Sequence, residues 1–166
     1  MTIGEERSFL ERLMDSYRAG DPSATDTSAG TRMVLSIQAI YTAIALQNYA
    51  AIAELISPEF ELEIIGPPEI PIVGCWRGRE EAIAAIGHNF GLLENQFPRI
   101  LGVVAQESAV LVMGYETGRV VATQRDYSVH WVQWYTFHEG ILSRVLQIFD
   151  SQAIRPAFLD NPSLPS

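Results

Sequence analysis

DYSVHWVQWYTFHEG, residues 126–140, is the stretch from which the rest of the chain is read. Its β-branched and aromatic content predicts a strand, and a strand sends alternate side chains to opposite faces. One row is Tyr127, Val129, Trp131, Gln133, Tyr135 and Phe137; the other is Ser128, His130, Val132, Trp134, Thr136 and His138. A half-buried antiparallel strand carries one wet and one dry face. Neither row here is plainly polar, so both faces need cover.

Outward from that strand the pattern repeats. Strands are expected over 98–106, 109–117, 119–137 and 141–149, joined by short Glu-Ser, Thr-Gly and Glu-Gly turns. Such tight connections predict an antiparallel meander. Earlier, EFELEII (59–65) alternates Phe60, Leu62 and Ile64 against Glu59, Glu61 and Glu63, a strand wet on one side. Helices precede and interrupt these strands. One is expected over 31–47, with Met33, Ile37, Ile40 and Ile44 inward, another over 49–56, and a third over 78–95, entered through acids that suit its positive end. GPPEIPIVGCWRG (66–78) reads as a loop with a short strand at Ile72-Val73. Residues 2–18 predict a further helix with Thr2 and Glu5 as a capping box, followed by the turn-rich linker GDPSATDTSAG (20–30). The domains expected are 1–30 (helix and linker), 31–152 (folded domain) and 153–166 (irregular proline-rich tail). Helices first and strands later give an α+β class, with helices on one face of a curved sheet.

The bulk numbers exclude several roles. In 166 residues, 11 Lys and Arg stand against 20 Asp and Glu, a net charge of −9 without a basic stripe. Nucleic acid and anionic membrane surfaces are therefore not expected partners. Cys75 has no companion for a disulfide, and MTIGEERSFLERL places acids where a signal peptide carries positive charge, so a cytoplasmic protein is expected. No apolar run reaches membrane-spanning length. The three histidines have no ligand spacing, and there is neither a phosphate-loop lysine nor a Gly-x-Ser-x-Gly elbow. No metal and no cofactor is expected.

Three stretches carry a resemblance. IYTAIALQNYAAIAELISPEFELEI resembles the opening helix, short second helix and first strand of the nuclear transport factor 2-like superfamily. Within it, the likeness is to the SnoaL-like polyketide cyclase, ketosteroid isomerase and limonene-epoxide hydrolase group. VGCWRGREEAIAAI resembles the family's glycine-flanked entry to the third helix, and FHEGILSRVLQIFD its closing turn and last strand. The resemblance spans roughly residues 36 to 152. It implies a cone: a strongly curved sheet wrapped around helices, with a pocket between them. Matching the FHEG turn places Gln133, Tyr135 and Phe137 inward, and His130, Val132 and Trp134 toward a partner copy of the chain.

Residue by residue, the resemblance places Tyr41 where ketosteroid isomerases carry their oxyanion-donating tyrosine. It also shows what is missing. The isomerase's catalytic base falls at about Ile64, its neutral acid at Gln133, and the epoxide hydrolase's acid–arginine–acid set at Gln147, Tyr115 and Thr117. Tyr41, Tyr115 and Asp150 are the candidate catalytic residues. Met113, Trp131, Gln133, Tyr135, Val145, Gln147 and Phe149 are the candidate ligand-binding residues. A pocket of neutral donors and aromatic walls suits a small apolar or ring-bearing molecule.

For an enzyme, the missing base is expected first at Asp126, Asp150 or His88. His130 and His138 lie about 26 Å apart along one strand and cannot act together. For Asp150 a structural role, with Arg144 as one partner, competes with catalysis; for Trp76 beside Arg77, ordinary packing competes with gating. Three readings follow: an isomerase, cyclase or dehydratase; a non-catalytic pocket for a hydrophobic metabolite; or a dimeric interaction module using the outer sheet face.

Overall fold

A computed structural model describes residues 28–159. The helix expected over 2–18 lies outside the described residues, as do most of the linker and residues 160–166. The order is α1 (Ser28–Ala45), α2 (Tyr49–Ile52), β1 (Ile56–Ile65), β2 (Gly74–Arg77), α3 (Arg79–Gly91), β3 (Leu93–Gln106), β4 (Ala109–Val120), β5 (Arg125–His138), β6 (Ile141–Phe149) and α4 (Ser151–Phe158). The strands form one strongly curved, unclosed sheet in the order β2-β1-β6-β5-β4-β3. β1 runs parallel to β6, and every other neighbour is antiparallel.

Both rows of β5 fall as expected. Tyr127, Val129, Trp131, Tyr135 and Phe137 are buried inside, with Gln133 in the same row, while Ser128, His130, Trp134 and His138 are exposed. The inner row belongs to one core with Met33, Ile37 and Ile40 of α1 and Ala82 and Ala85 of α3. The β5–β6 turn has positive φ at Glu139 (51°) and Gly140 (80°), as a tight hairpin of this hand requires.

Four expectations need correction. β4 does not turn at Thr117-Gly118 but runs on to Val120, with the turn at 121–124. The reason is steric: Gly118 pairs with Tyr127, and a Cβ there would overlap the phenol. That glycine makes room for a ring.

The short strand lies at Gly74–Arg77, where it pairs with β1, and not at Ile72-Val73. Ile72 is instead buried in the core. The helix after Asn48 ends at Ile52, and the next strand begins at Ile56.

The tail is not irregular throughout, because Ser151–Phe158 is helical despite Pro156. Asp150 caps this helix by accepting from the backbone N–H of Gln152 (3.1 Å) and Ala153 (3.2 Å). At the other end Thr123 donates to the Ala157 carbonyl, and Arg125 to those of Pro156 and Leu159. Ile154 and Ala157 are buried beneath it. Replacing Asp150 by Ala is expected to cost about 1 kcal/mol, the usual value of a lost N-cap. A urea titration reads it, and an unchanged midpoint would show that the cap carries no stability.

Candidate functional site

Between the inner sheet face and the helices lies a cavity of about 590 Å³. Its walls include Tyr41 and Ile44 of α1, Asn89 and Phe90 of α3, Glu116 of β4, Val129, Trp131 and Gln133 of β5, Gln147 and Phe149 of β6, and Ile154 of α4. The volume lies within the range of small-molecule sites.

Two hydrogen-bonded polar groups stand in the wall beside Asn89 and the rim residues Gln47, Glu94 and Asn95. The first is a chain of hydrogen bonds. Tyr135 donates its one hydroxyl proton to the Tyr41 hydroxyl (2.7 Å), with its oxygen also 2.6 Å from Gln133 Oε1; Tyr41 donates to that Oε1, and Gln133 Nε2 donates to Gln147 Oε1 at 2.8 Å. The strand register produces it, because Gln133 pairs with Gln147 and Tyr135 with Val145. The donors point one way along the chain, which ends on the Gln147 amide. Burial pushes the Tyr41 and Tyr135 phenols well above their ordinary value, so both stay protonated.

The second group is built around Glu116, which faces inward on β4. Tyr127 donates to its Oε1, as does Gln96 Nε2 at 3.2 Å. Burial raises the Glu116 carboxyl above its ordinary value, partly offset by those two hydrogen bonds. Burial, and then the Glu116 charge, likewise raise the Tyr127 phenol. Glu116 also contributes to the upward shift of Tyr41, so the two groups sense each other across one cavity.

Glycines frame the carboxyl. Gly114 lies opposite Trp131 and Gly118 opposite Tyr127, and a Cβ at either would overlap the ring it faces.

Of the expected site residues, Tyr41, Trp131, Gln133, Gln147 and Phe149 line the cavity. Tyr135 and Val145 are buried behind them. Met113 and Tyr115 are corrections: both lie on the outer face, Met113 46% exposed and Tyr115 with its ring 4.9 Å from that of His130. The inner row of β4 is Val110, Val112, Gly114, Glu116, Gly118 and Val120, so the expected register was off by one residue.

Asp150 caps α4, outside the cavity wall, and Arg144 bonds Glu61 (2.9 Å) and Glu63 (2.5 Å) rather than Asp150. Asp126 is an exposed partner of Arg119 at 2.7 Å, which lowers its carboxyl pKa. His88 is exposed on α3. Trp76 is half-buried on β2 against the core and does not gate the cavity.

Glu116, Tyr127, Gln96 and Asn89 were not singled out from the sequence. One signal for Glu116 was available: it shares strand parity with Val110, Val112 and Val120. Among the described residues no cluster of three or more His, Cys, Asp or Glu is placed to hold a metal.

The model of the SnoaL-like domain matches residues 37–145. The chain belongs to this family. Solved structures similar to this SnoaL-like protein include an NTF2-like protein from Burkholderia xenovorans LB400, at TM-score 0.69 and 22% identity over 78% of this chain and 98% of the other. A protein described as a SnoaL-like polyketide cyclase, from Jannaschia sp. CCS1, gives TM-score 0.70 and 16% identity, covering 82% and 97%. An epoxide hydrolase of the LEH-like type from M. tuberculosis gives 0.61 and 12%, covering 78% and 90%. No curated protein matches the chain. At identities this low the likeness is one of fold, and the chemistry must be argued from the residues.

Among the described residues, no helix of this SnoaL-like protein is long and apolar enough to cross a membrane.

Proposed function

We propose that this SnoaL-like protein binds a small, largely apolar, ring-bearing molecule in the cavity and catalyses proton transfer on it without a cofactor, as an isomerase, cyclase or dehydratase does. One observation carries the reading: a half-buried carboxyl, Glu116, shares a cavity with a directional chain of neutral donors. A substrate carbonyl oxygen accepts from the amide end of that chain, where developing negative charge is stabilised without reorganisation. The Glu116 carboxylate takes a proton from the adjacent carbon. The C–H electron pair moves into the ring and onto the oxygen, and the proton returns at the same or another carbon. Relatives named as a polyketide cyclase and an epoxide hydrolase support small-molecule chemistry in such a cavity.

The test is exchange of α-hydrogens for deuterium in cyclic ketones of one to three rings, incubated with the protein in heavy water and read by mass spectrometry. Catalysed exchange is expected. Saturable binding of the same ketones with no exchange above background would leave the non-catalytic pocket, a reading favoured by the commitment of the Tyr41 hydroxyl proton to Gln133.

We also propose a homodimer through the outer sheet face. Trp134 pairs with Leu111 and Leu146, and Val132 with Met113 and Ile148, so apolar side chains form two adjoining rows across three strands. Trp134, Met113 and Ile148 are each about half exposed, at 50%, 46% and 50%. A patch of this kind is more typical of an interface than of bare surface. Trp134→Arg is expected to halve the mass seen in sedimentation velocity, with the melting transition retained. A monomeric parent at high concentration would remove the dimer from consideration.

A further inference from the structure

Helix α3 presents Ala82, Ala85 and Asn89 to the interior. The two alanines are ordinary for a helix packed closely on a sheet. Asn89 is not: it is 7% exposed, and it lines the cavity beside Phe90. Its Nδ2 donates to the Ile72 carbonyl at 3.4 Å, while its Oδ1 is buried without a hydrogen-bond partner among the described residues. Turning the amide over would set its carbonyl against that of Ile72, so the Ile72 bond fixes which end is which. A buried acceptor left unpaired is costly, and folded proteins rarely keep one without a use.

We infer that Asn89 recognises the ligand by accepting a hydrogen bond from a hydroxyl or N–H at the end of the molecule turned toward α3. This rests on the proposed small-molecule function and narrows its substrate class to ring compounds that carry a donor as well as a carbonyl. The Gln133–Gln147 end of the cavity supplies donors for the carbonyl. Among the described residues, the α3 wall supplies the one buried side-chain carbonyl oxygen without a hydrogen-bond partner. A site built to bond a hydroxyl discriminates strongly against the analogue that lacks it, because its own polar group is then stranded.

The experiment compares 2-tetralone with its hydroxy and methoxy derivatives, the substituent placed in turn at each aromatic ring position. Affinities are measured by calorimetry on the parent protein and on Asn89→Leu, a variant close in volume. At one position the hydroxy compound is expected to bind the parent about tenfold more tightly than the methoxy compound, the usual worth of one hydrogen bond. Asn89→Leu is expected to erase that preference while still binding 2-tetralone.

Equal affinity of hydroxy and methoxy compounds at every position would overturn the role of Asn89 and leave the pocket reading intact. So would a preference that persists in Asn89→Leu. Failure of all the tetralones to bind the parent would overturn both. Should Asn89→Leu not fold, the hydroxy–methoxy comparison on the parent decides alone.

Discussion

Glu116→Gln is expected to bind cyclic ketones as the parent does and to exchange their α-hydrogens roughly 10²–10⁴-fold more slowly, the usual contribution of a positioned acid or base. The substitution is nearly isosteric. It keeps an acceptor for Tyr127 and Gln96, whose bonds both fall on Oε1, and removes only the capacity to carry a proton. An unchanged exchange rate would show that Glu116 is not the base.

The pH dependence supplies a second check. Burial raises the carboxyl above its ordinary value of 4.5, so the fraction able to act as a base grows through a correspondingly higher pH range. The rate of the parent should rise through that range, and the limb should be missing from the variant. Stability moves in the opposite direction. With its folded pKa raised, Glu116 stays protonated in the folded chain at pH values where the unfolded chain has already released that proton. Its contribution is therefore fully present below 4.5 and is lost as the pH climbs through the folded value. Glu116→Gln removes this loss, so the variant should gain on the parent as pH rises, and urea midpoints at acidic and neutral pH measure the gain. A variant that trades turnover for stability in this way identifies a group retained for chemistry.

Gly114→Ala is expected to destabilise the fold by about 3 kcal/mol, the upper part of the usual range for forcing extra volume into a packed interior. The new methyl group would overlap the Trp131 indole, a rigid ring that is itself buried and lines the cavity. The indole must then move into the space a ligand needs, so ketone binding should weaken along with stability. For a chain of this size the melting temperature should fall by roughly 6–12 °C. Gly102 is the internal control, since a Cβ there meets nothing within 4 Å. Gly102→Ala should change little. Combining Gly114→Ala with Trp131→Leu should recover much of the loss, because the smaller side chain vacates the contested volume; strictly additive losses would show that the clash is not the cause.

The fold was legible because its signals were redundant. The two rows of β5, the alternation in Phe60, Leu62 and Ile64, and the helical spacing of Met33, Ile37 and Ile40 all agree with the observed burial. The resemblance put Tyr41, Gln133 and Gln147 in one pocket, while the hydrogen bonds that join them show only in the structure.

Glu116 was missed for a physical reason. On β4 both alternating sets are apolar: Val110, Val112 and Val120 face inward, while Leu111 and Met113 belong to the outer patch. Hydrophobicity alone cannot choose between two such faces. The choice rests on the glycines, whose purpose shows only when the rings opposite them are known. Asn89 gave less warning still, since a polar residue on a helix reads as solvated until its neighbours are placed.

The position of β6 has a consequence for how this chain comes to be folded. Each strand of the meander pairs with its neighbour in sequence, but β1 sits beside the last strand. As the chain is synthesised, β1 emerges early, gains β2 on one edge, and must wait for its other partner until nearly all the rest has followed. Pairings between such distant segments are slow to form, and a waiting edge is open to the wrong strand. Glu59, Glu61 and Glu63 place repeated negative charge along this one, a deterrent to a second copy of itself. When β6 arrives it brings Arg144, which bonds Glu61 and Glu63. Of the charges that keep the early strand apart, Glu61 is thus shared between Arg77 of β2 and Arg144, and Glu63 is bonded by the late partner.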